Sequence, residues 1–193
     1  MSRTTRNALM DMIRERAYRY QPDDPFTLVS GRKSPFYFNC KAVSLTGEGL
    51  NLLGEVLYEA LREFPEVEAV GGLTLGADPL ATTLASYATR HGRVIDAFVI
   101  RKEAKGHGTR QWLEGEIGAG APVLIIDDVV TTGSSTVKAI ERAAEARLSV
   151  RGVLVLVDRE EEDGVANIER ALDKVGAPRK VVAIYRASDF LAK

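Results

Sequence analysis

Two adjacent carboxylates, Asp127 and Asp128, follow four apolar residues, Val123, Leu124, Ile125 and Ile126. After them come Val129, Val130, Thr131, Thr132, Gly133, Ser134 and Ser135, a loop of small and hydroxyl residues opening a helical pattern. Small residues let a backbone approach a phosphate, and a helix N-terminus supplies unpaired N–H groups and a partial positive charge. The hydroxyls of Thr131, Thr132, Ser134 and Ser135 add donors. The carboxylates cannot serve the phosphate, because like charges repel. They suit ribose hydroxyls, a hydrated Mg²⁺, or a cation developing on a sugar. Either half alone reads as a strand end or a helix cap. Joined behind a wholly apolar strand, they read as a cup for a sugar phosphate. No Gly-Lys-Ser/Thr follows the glycine, so the loop is not a Walker P-loop.

Three further constellations could do chemistry. Arg101, Lys102, Lys105 and His107 fall within seven residues, beside Gly106 and Gly108. Charge alone makes this a solvated hairpin, although such cations could also stabilise an anionic leaving group. Arg159 follows another apolar run. An arginine fork can grip a carboxylate bidentately, or it can pair at the surface with Glu160 or Glu161. Tyr37 and Phe38, in the stretch FTLVSGRKSPFYFN, are either core residues or the wall of a pocket for a flat ring. Of the two histidines, His107 is the functional candidate and His91, beside Gly92, ends a helix. The lone Cys40 has no base near it in sequence and is expected to be buried and inert.

The elements that must position these residues alternate. A helix carries Leu9, Met12, Ile13 and Ala17 at helical spacing, and residues 26–39 suggest two short extended pieces joined by a turn. Thr46 caps a second helix with the stripe Leu50, Leu53, Leu57, Leu61 and Phe64, closed by Pro65. Apolar runs at 67–73, 94–100, 123–126, 153–157 and 181–185 read as strands, most of them buried and parallel. Helical patterns lie at about 79–91, 134–148 and 164–175. Asp78 is the expected N-cap of the first, Val137, Ile140, Ala144 and Leu148 the apolar face of the second, and Gly176 the end of the third. This order predicts an α/β sheet with ligands at the carboxyl ends of its strands.

Composition narrows the classes. With 193 residues, 45% hydrophobic and 27% charged, the chain can bury a real core. A net charge of −1 gives no global basic field for nucleic acid. One cysteine excludes an intrachain disulfide and fits a reducing compartment. The first twenty residues mix charged and apolar types, so neither a signal peptide nor a membrane span is expected, and a cytoplasmic location is.

The 123–135 segment resembles the phosphoribosyl pyrophosphate signature of type I phosphoribosyltransferases. RKEAKGHG, from Arg101 on, resembles the catalytic loop of the orotate-specific branch, and FTLVSGRKSPFYFN is similar to its N-terminal hood motif. The resemblance covers about residues 22–160. It implies a type I phosphoribosyltransferase-like fold, a central mostly parallel sheet flanked by helices with an N-terminal hood over the active site. Residues 1–193 would form a single domain, the hood coming mainly from about 1–45 with C-terminal contributions.

The implied activity is transfer of ribose 5-phosphate from phosphoribosyl pyrophosphate to orotate. The implied catalytic residues are Lys105, His107, Asp127 and Asp128. Phosphoribosyl pyrophosphate would meet Arg101, Lys102, Lys105, His107, Asp127, Asp128, Val129, Val130, Thr131, Thr132, Gly133, Ser134 and Ser135. Orotate would meet Thr131, Arg159, Tyr37 and Phe38. Mg²⁺ would be bound mainly through the substrate. A homodimer is implied, the basic loop acting in the neighbouring subunit's site. Val29 and Leu75 stand where many members carry basic residues, which bears on pyrophosphate binding. Other readings are a phosphoribosyltransferase for another base, or a non-catalytic sensor of phosphoribosyl pyrophosphate.

Overall fold

In the computed structural model, residues 3–27, 31–103 and 112–191 are described. The chain begins with helix α1 (Arg3–Arg16), which buries Leu9, Met12, Ile13 and, just beyond its end, Ala17. Four short strands follow: β1 (Tyr18–Tyr20), β2 (Phe26–Thr27), β3 (Lys33–Ser34) and β4 (Phe36–Phe38). β1 pairs antiparallel with β4, and β2 with β3, so this region forms two ribbons instead of one hairpin. A short helix α2 (Lys41–Ser44) leads to α3 (Gly47–Ala60), capped by Thr46, whose hydroxyl accepts from the Gly49 amide at 3.1 Å. A 3-10 turn (Leu61–Glu63) carries the buried stripe of α3 on to Phe64.

The rest alternates strand and helix as expected: β5 (Ala69–Leu73), α4 (Ala77–Arg90), β6 (Asp96–Ile100), β7 (Leu113–Glu114) and β8 (Pro122–Val130). Then follow α5 (Ser134–Glu145), β9 (Ser149–Asp158), α6 (Gly164–Lys174), β10 (Val181–Arg186) and α7 (Ser188–Leu191). Six strands form one sheet in the order β10-β9-β8-β5-β6-β7, parallel except for β7, which returns antiparallel on β6. The sheet is the middle of three layers. Leu124 and Ile126 of β8 join the core built with α1, α3 and α4, while Val123 and Ile125 point to the other side, against α5 and α6. Burial on both faces explains why β8 reads as a continuous apolar run.

Three local expectations are corrected. The carboxylate pair does not end β8; it lies within the strand, because the ladder with β9 runs on through Asp127↔Val155 to Val130↔Asp158. Asp78 is not the N-cap of α4. Gly76 holds that position, and the Asp78 carboxylate accepts from the Thr74 hydroxyl at 2.5 Å. The buried face of α5 centres on Thr136, Ala139, Ile140 and Ala143, with Val137 and Ala144 only half-buried. Among the described residues, no helix is long and apolar enough to cross a membrane.

Candidate active site

The carboxyl ends of β8 and β9 open into a cleft of about 580 Å³. Its lining includes Asp127, Val129, Thr131, Thr132, Gly133, Ser134 and Ser135 on one side, and Arg159 with Thr27, Tyr37 and Phe38 on the other. The loop from Thr131 to Ser135 turns sharply because Gly133 takes a left-handed conformation (φ 74°) at the N-cap of α5. A Cβ there would lie 2.7 Å from the carbonyl oxygen of Gly164, so a side chain is excluded by space as well as by backbone angle. The first turn of α5, whose leading N–H groups have no intrahelical partner, thus faces an open cleft lined by hydroxyls. Asn167 braces the loop from behind, its amide donating to the Thr132 carbonyl at 2.9 Å.

Asp127 sits beside this loop and is 6% exposed. Its two oxygens accept from the Thr136 hydroxyl (2.6 Å) and from the Asp128 amide (3.0 Å). Burial, followed by the neighbouring Asp128 charge, pushes its pKa up to about 7, against the lowering effect of those two bonds. A carboxylate poised there can accept hydrogen bonds from a diol. Asp128 points to the opposite side of the sheet, as strand alternation requires. Its carboxylate accepts from the Val129 amide at 3.0 Å, lies 3.8 Å from Lys41 Nζ, and presses on the loop after β5, where a Cβ on Gly76 would come within 2.3 Å.

Arg159 leaves β9 and turns into the N-terminal ribbons. Its Nη2 donates to Ser34 Oγ and to the Phe36 carbonyl, both at 2.9 Å, and lies 2.8 Å from Glu161. Desolvation lowers its pKa, and the Glu161 carboxylate works in the other direction. Beyond it, Phe38 stacks at a tilt on Tyr18 (5.0 Å between centroids) and meets Phe190 of α7 edge-on (5.2 Å), so chain start and chain end pack together. Among the described residues, no group of three or more His, Cys, Asp or Glu side chains could cage a metal. A divalent ion here would therefore take most of its ligands from a bound phosphate ester and water, the mode Mg²⁺ favours.

No family model matches the chain. The orotate phosphoribosyltransferase of Sorangium cellulosum is 43% identical to it over 96% of this chain and 93% of that protein. The chain belongs to the orotate phosphoribosyltransferase family. A solved structure of orotate phosphoribosyltransferase from Mycobacterium tuberculosis, in complex with Fe(III) dicitrate, is similar with a TM-score of 0.76 and 31% identity. It covers 96% of this chain and 98% of that one. The same enzyme in complex with 5-phospho-α-D-ribosyl 1-diphosphate gives a TM-score of 0.74 at 28% identity, covering 98% and 93%. The α/β fold with a central, mostly parallel sheet agrees with these neighbours.

For this phosphoribosyltransferase chain, ten of the positions expected from sequence meet at the one cleft. Others do not. Asp128 faces Lys41, and Val130 is buried in the core under α6, its carbonyl accepting from the Arg159 amide at 3.0 Å. Arg101 is paired with Glu114 at 3.0 Å, and Lys102 is exposed, with its carbonyl accepting from Arg142 at 3.1 Å; neither lines the cleft. Lys105, His107 and Val29 lie outside the described residues. His91 ends α4 as expected, and Cys40 is buried, its thiol pKa raised by burial and then by Asp128. Sequence reasoning missed Thr27, Ser34 and Thr136, whereas Glu161, one of the two glutamates offered as a partner for Arg159, does pair with it. Thr136 had a signal, a hydroxyl one helical turn into α5 on the side of Asp127; the others depend on long-range pairing.

Proposed function

We propose that this chain transfers ribose 5-phosphate from phosphoribosyl pyrophosphate to orotate, giving orotidine 5′-monophosphate and pyrophosphate in pyrimidine synthesis. The observation that carries the reading is a hydroxyl-lined helix N-terminus and a buried arginine facing each other across one cleft, with a carboxylate between. The 5′-phosphate rests on Thr131, Thr132, Gly133, Ser134 and Ser135, with Val129 beside it. The ribose diol donates to Asp127 and Asp128. Orotate stacks by Tyr37 and Phe38 and presents its carboxylate to Arg159, with Thr131 beside the ring. Asp128 also shapes the loop from Gly72 to Ala77, where backbone amides can receive pyrophosphate without the basic residue that Leu75 replaces.

The bond from C1 to the pyrophosphate oxygen breaks first, its electron pair leaving with pyrophosphate. The ring nitrogen of orotate, its proton passed to water, then forms the new bond to C1. A Mg²⁺ ion would be held mainly through the substrate and would supply charge neutralisation for the leaving group. The chain's own residues orient the two reactants and favour the charge distribution of the transition state. Lys105 and His107 stabilise or protonate the leaving group, and Arg101 and Lys102 help bind phosphoribosyl pyrophosphate, from a basic loop acting in the neighbouring subunit's site of a homodimer. The whole chain acts as one domain, the two N-terminal ribbons with α1 and α7 forming the hood. A cytoplasmic setting keeps the buried Cys40 reduced.

The test is orotate consumption, followed by ultraviolet absorbance, with phosphoribosyl pyrophosphate and Mg²⁺. Adenine, hypoxanthine and uracil run in parallel. Magnesium-dependent loss of orotate alone is expected. Turnover of another base in its place, or none with any base despite tight phosphoribosyl pyrophosphate binding, sinks the assignment.

A further inference from the structure

The guanidinium of Arg159 is 4% exposed and so needs a counter-charge even when no ligand is present. Glu161 supplies it. One carboxylate oxygen lies 2.8 Å from Arg159 Nη2, and the other accepts from Ser34 Oγ at 2.8 Å. The flanking glutamates contribute less, Glu162 adding a weaker charge at Arg159. Glu160 accepts from the Ser188 amide at 2.8 Å, and Glu162 lies 3.7 Å from Arg32. Arg159 is not saturated, however. Its Nε is buried and has no hydrogen-bond partner, while the residue lines the cleft. One edge of the fork is thus vacant, and the charge that would fill it is already balanced from within the chain.

We propose that Glu161 is an internal stand-in for the carboxylate of the base: it neutralises Arg159 in the empty cleft and withdraws when a carboxylate-bearing ring arrives. The inference rests on Arg159 being the clamp for that carboxylate. Two carboxylates within reach of one guanidinium repel each other, so one must yield. Glu161 can, because its side chain is 24% exposed and has a path to water that Arg159, at 4%, lacks. The arrangement makes the clamp selective. A weak anion cannot displace Glu161, whereas a planar carboxylate that also stacks in the cleft gains enough to do so. Glu161 is in this sense a specificity-determining residue that acts through Arg159.

Glu161→Gln is the test, since the amide oxygen can still accept from Ser34 while the competing charge is gone. KM for orotate should fall about tenfold, the equivalent of about 1.4 kcal/mol, with KM for phosphoribosyl pyrophosphate unchanged. Inhibition by benzoate, a non-substrate ring carboxylate, should strengthen by a similar factor. An unchanged or raised KM for orotate would mean that Glu161 only orients Arg159, and would overturn the proposal. A parallel fall in KM for phosphoribosyl pyrophosphate would overturn it too, as a general field effect. Arg159→Gln separates the two layers. If that variant keeps its KM for orotate, the clamp itself is wrong, whatever residue 161 does.

Discussion

Replacing Asp127 by asparagine should stabilise this protein at alkaline pH and disable it at the same time. Asp127 is 6% exposed, and burial together with Asp128 pushes its pKa up to about 7. In the unfolded chain an aspartate titrates near about 3.9. Between those values the folded protein keeps a proton that the unfolded chain has released, so stability declines as pH rises from about 4 to about 7. About three units at about 1.4 kcal/mol each set a ceiling near 4 kcal/mol. The native hydrogen bonds that favour the ionised form, from Thr136 and the Asp128 amide, are weakened by an amide, so roughly half of that gain should survive, about 2 kcal/mol. In a chain of this size that raises Tm by roughly 4–8 °C.

The assay is thermal unfolding of both proteins at about pH 4.5 and about pH 8.5, where roughly a quarter of the predicted difference and all of it are present, respectively. The same asparagine should cut orotate turnover by at least about tenfold, because a charge-assisted bond to the ribose is lost. A gain of the same size at both pH values, or a loss at alkaline pH, would refute the claim that a buried charge at Asp127 opposes folding.

Gly133→Ala should lower stability by about 2–3 kcal/mol, through its positive φ and the 2.7 Å approach to Gly164, and should raise KM for phosphoribosyl pyrophosphate. Urea unfolding and substrate titration check both. Arg93→Met removes donors to the carbonyls of Leu61, Phe64, Pro65 and Val67 at the far end of the fold. It should cost about 2–3 kcal/mol while leaving both KM values alone. Arg142 lies 3.6 Å from the ring centre of Trp112, the only tryptophan. Arg142→Gln should therefore change the fluorescence intensity; a spectrum superposable on the parent's would mean the contact is absent in solution.

What could be read from sequence was local. The buried strands announce themselves because both faces of the sheet are covered, and Thr46 announces a helix because its hydroxyl meets an amide only three residues away. The limits of β8 were misread for an equally physical reason. Two carboxylates break an apolar run, yet the hydrogen-bond ladder with β9 is indifferent to side-chain polarity and continues through them. The face of α5, read correctly at Ile140 and Leu148, was drawn too narrowly because two of its buried residues, Thr136 and Arg142, are polar and owe their burial to distant partners, Asp127 and the carbonyls of Arg101 and Lys102. Nothing near Ser34 in the chain signals that it will bridge Arg159 and Glu161.

The acidic pair anchors two parts of the site to one strand. A strand starts successive side chains toward opposite faces, yet the Asp127 and Asp128 carboxylates stay near enough for Asp128 to raise the Asp127 pKa by its charge and by a side-chain contact. Asp127 reaches the cleft and is tied to α5, whereas Asp128 reaches Lys41 and the loop after β5. One dipeptide therefore ties two loops, one on each side of the sheet, to the same rigid strand. If the first loop holds the phosphate and the second the pyrophosphate, the spacing between the two ends of the substrate is fixed by the pleat of β8. That places the geometric precision of the reaction in the sheet, and leaves to the loops the tasks of contact and exclusion of water.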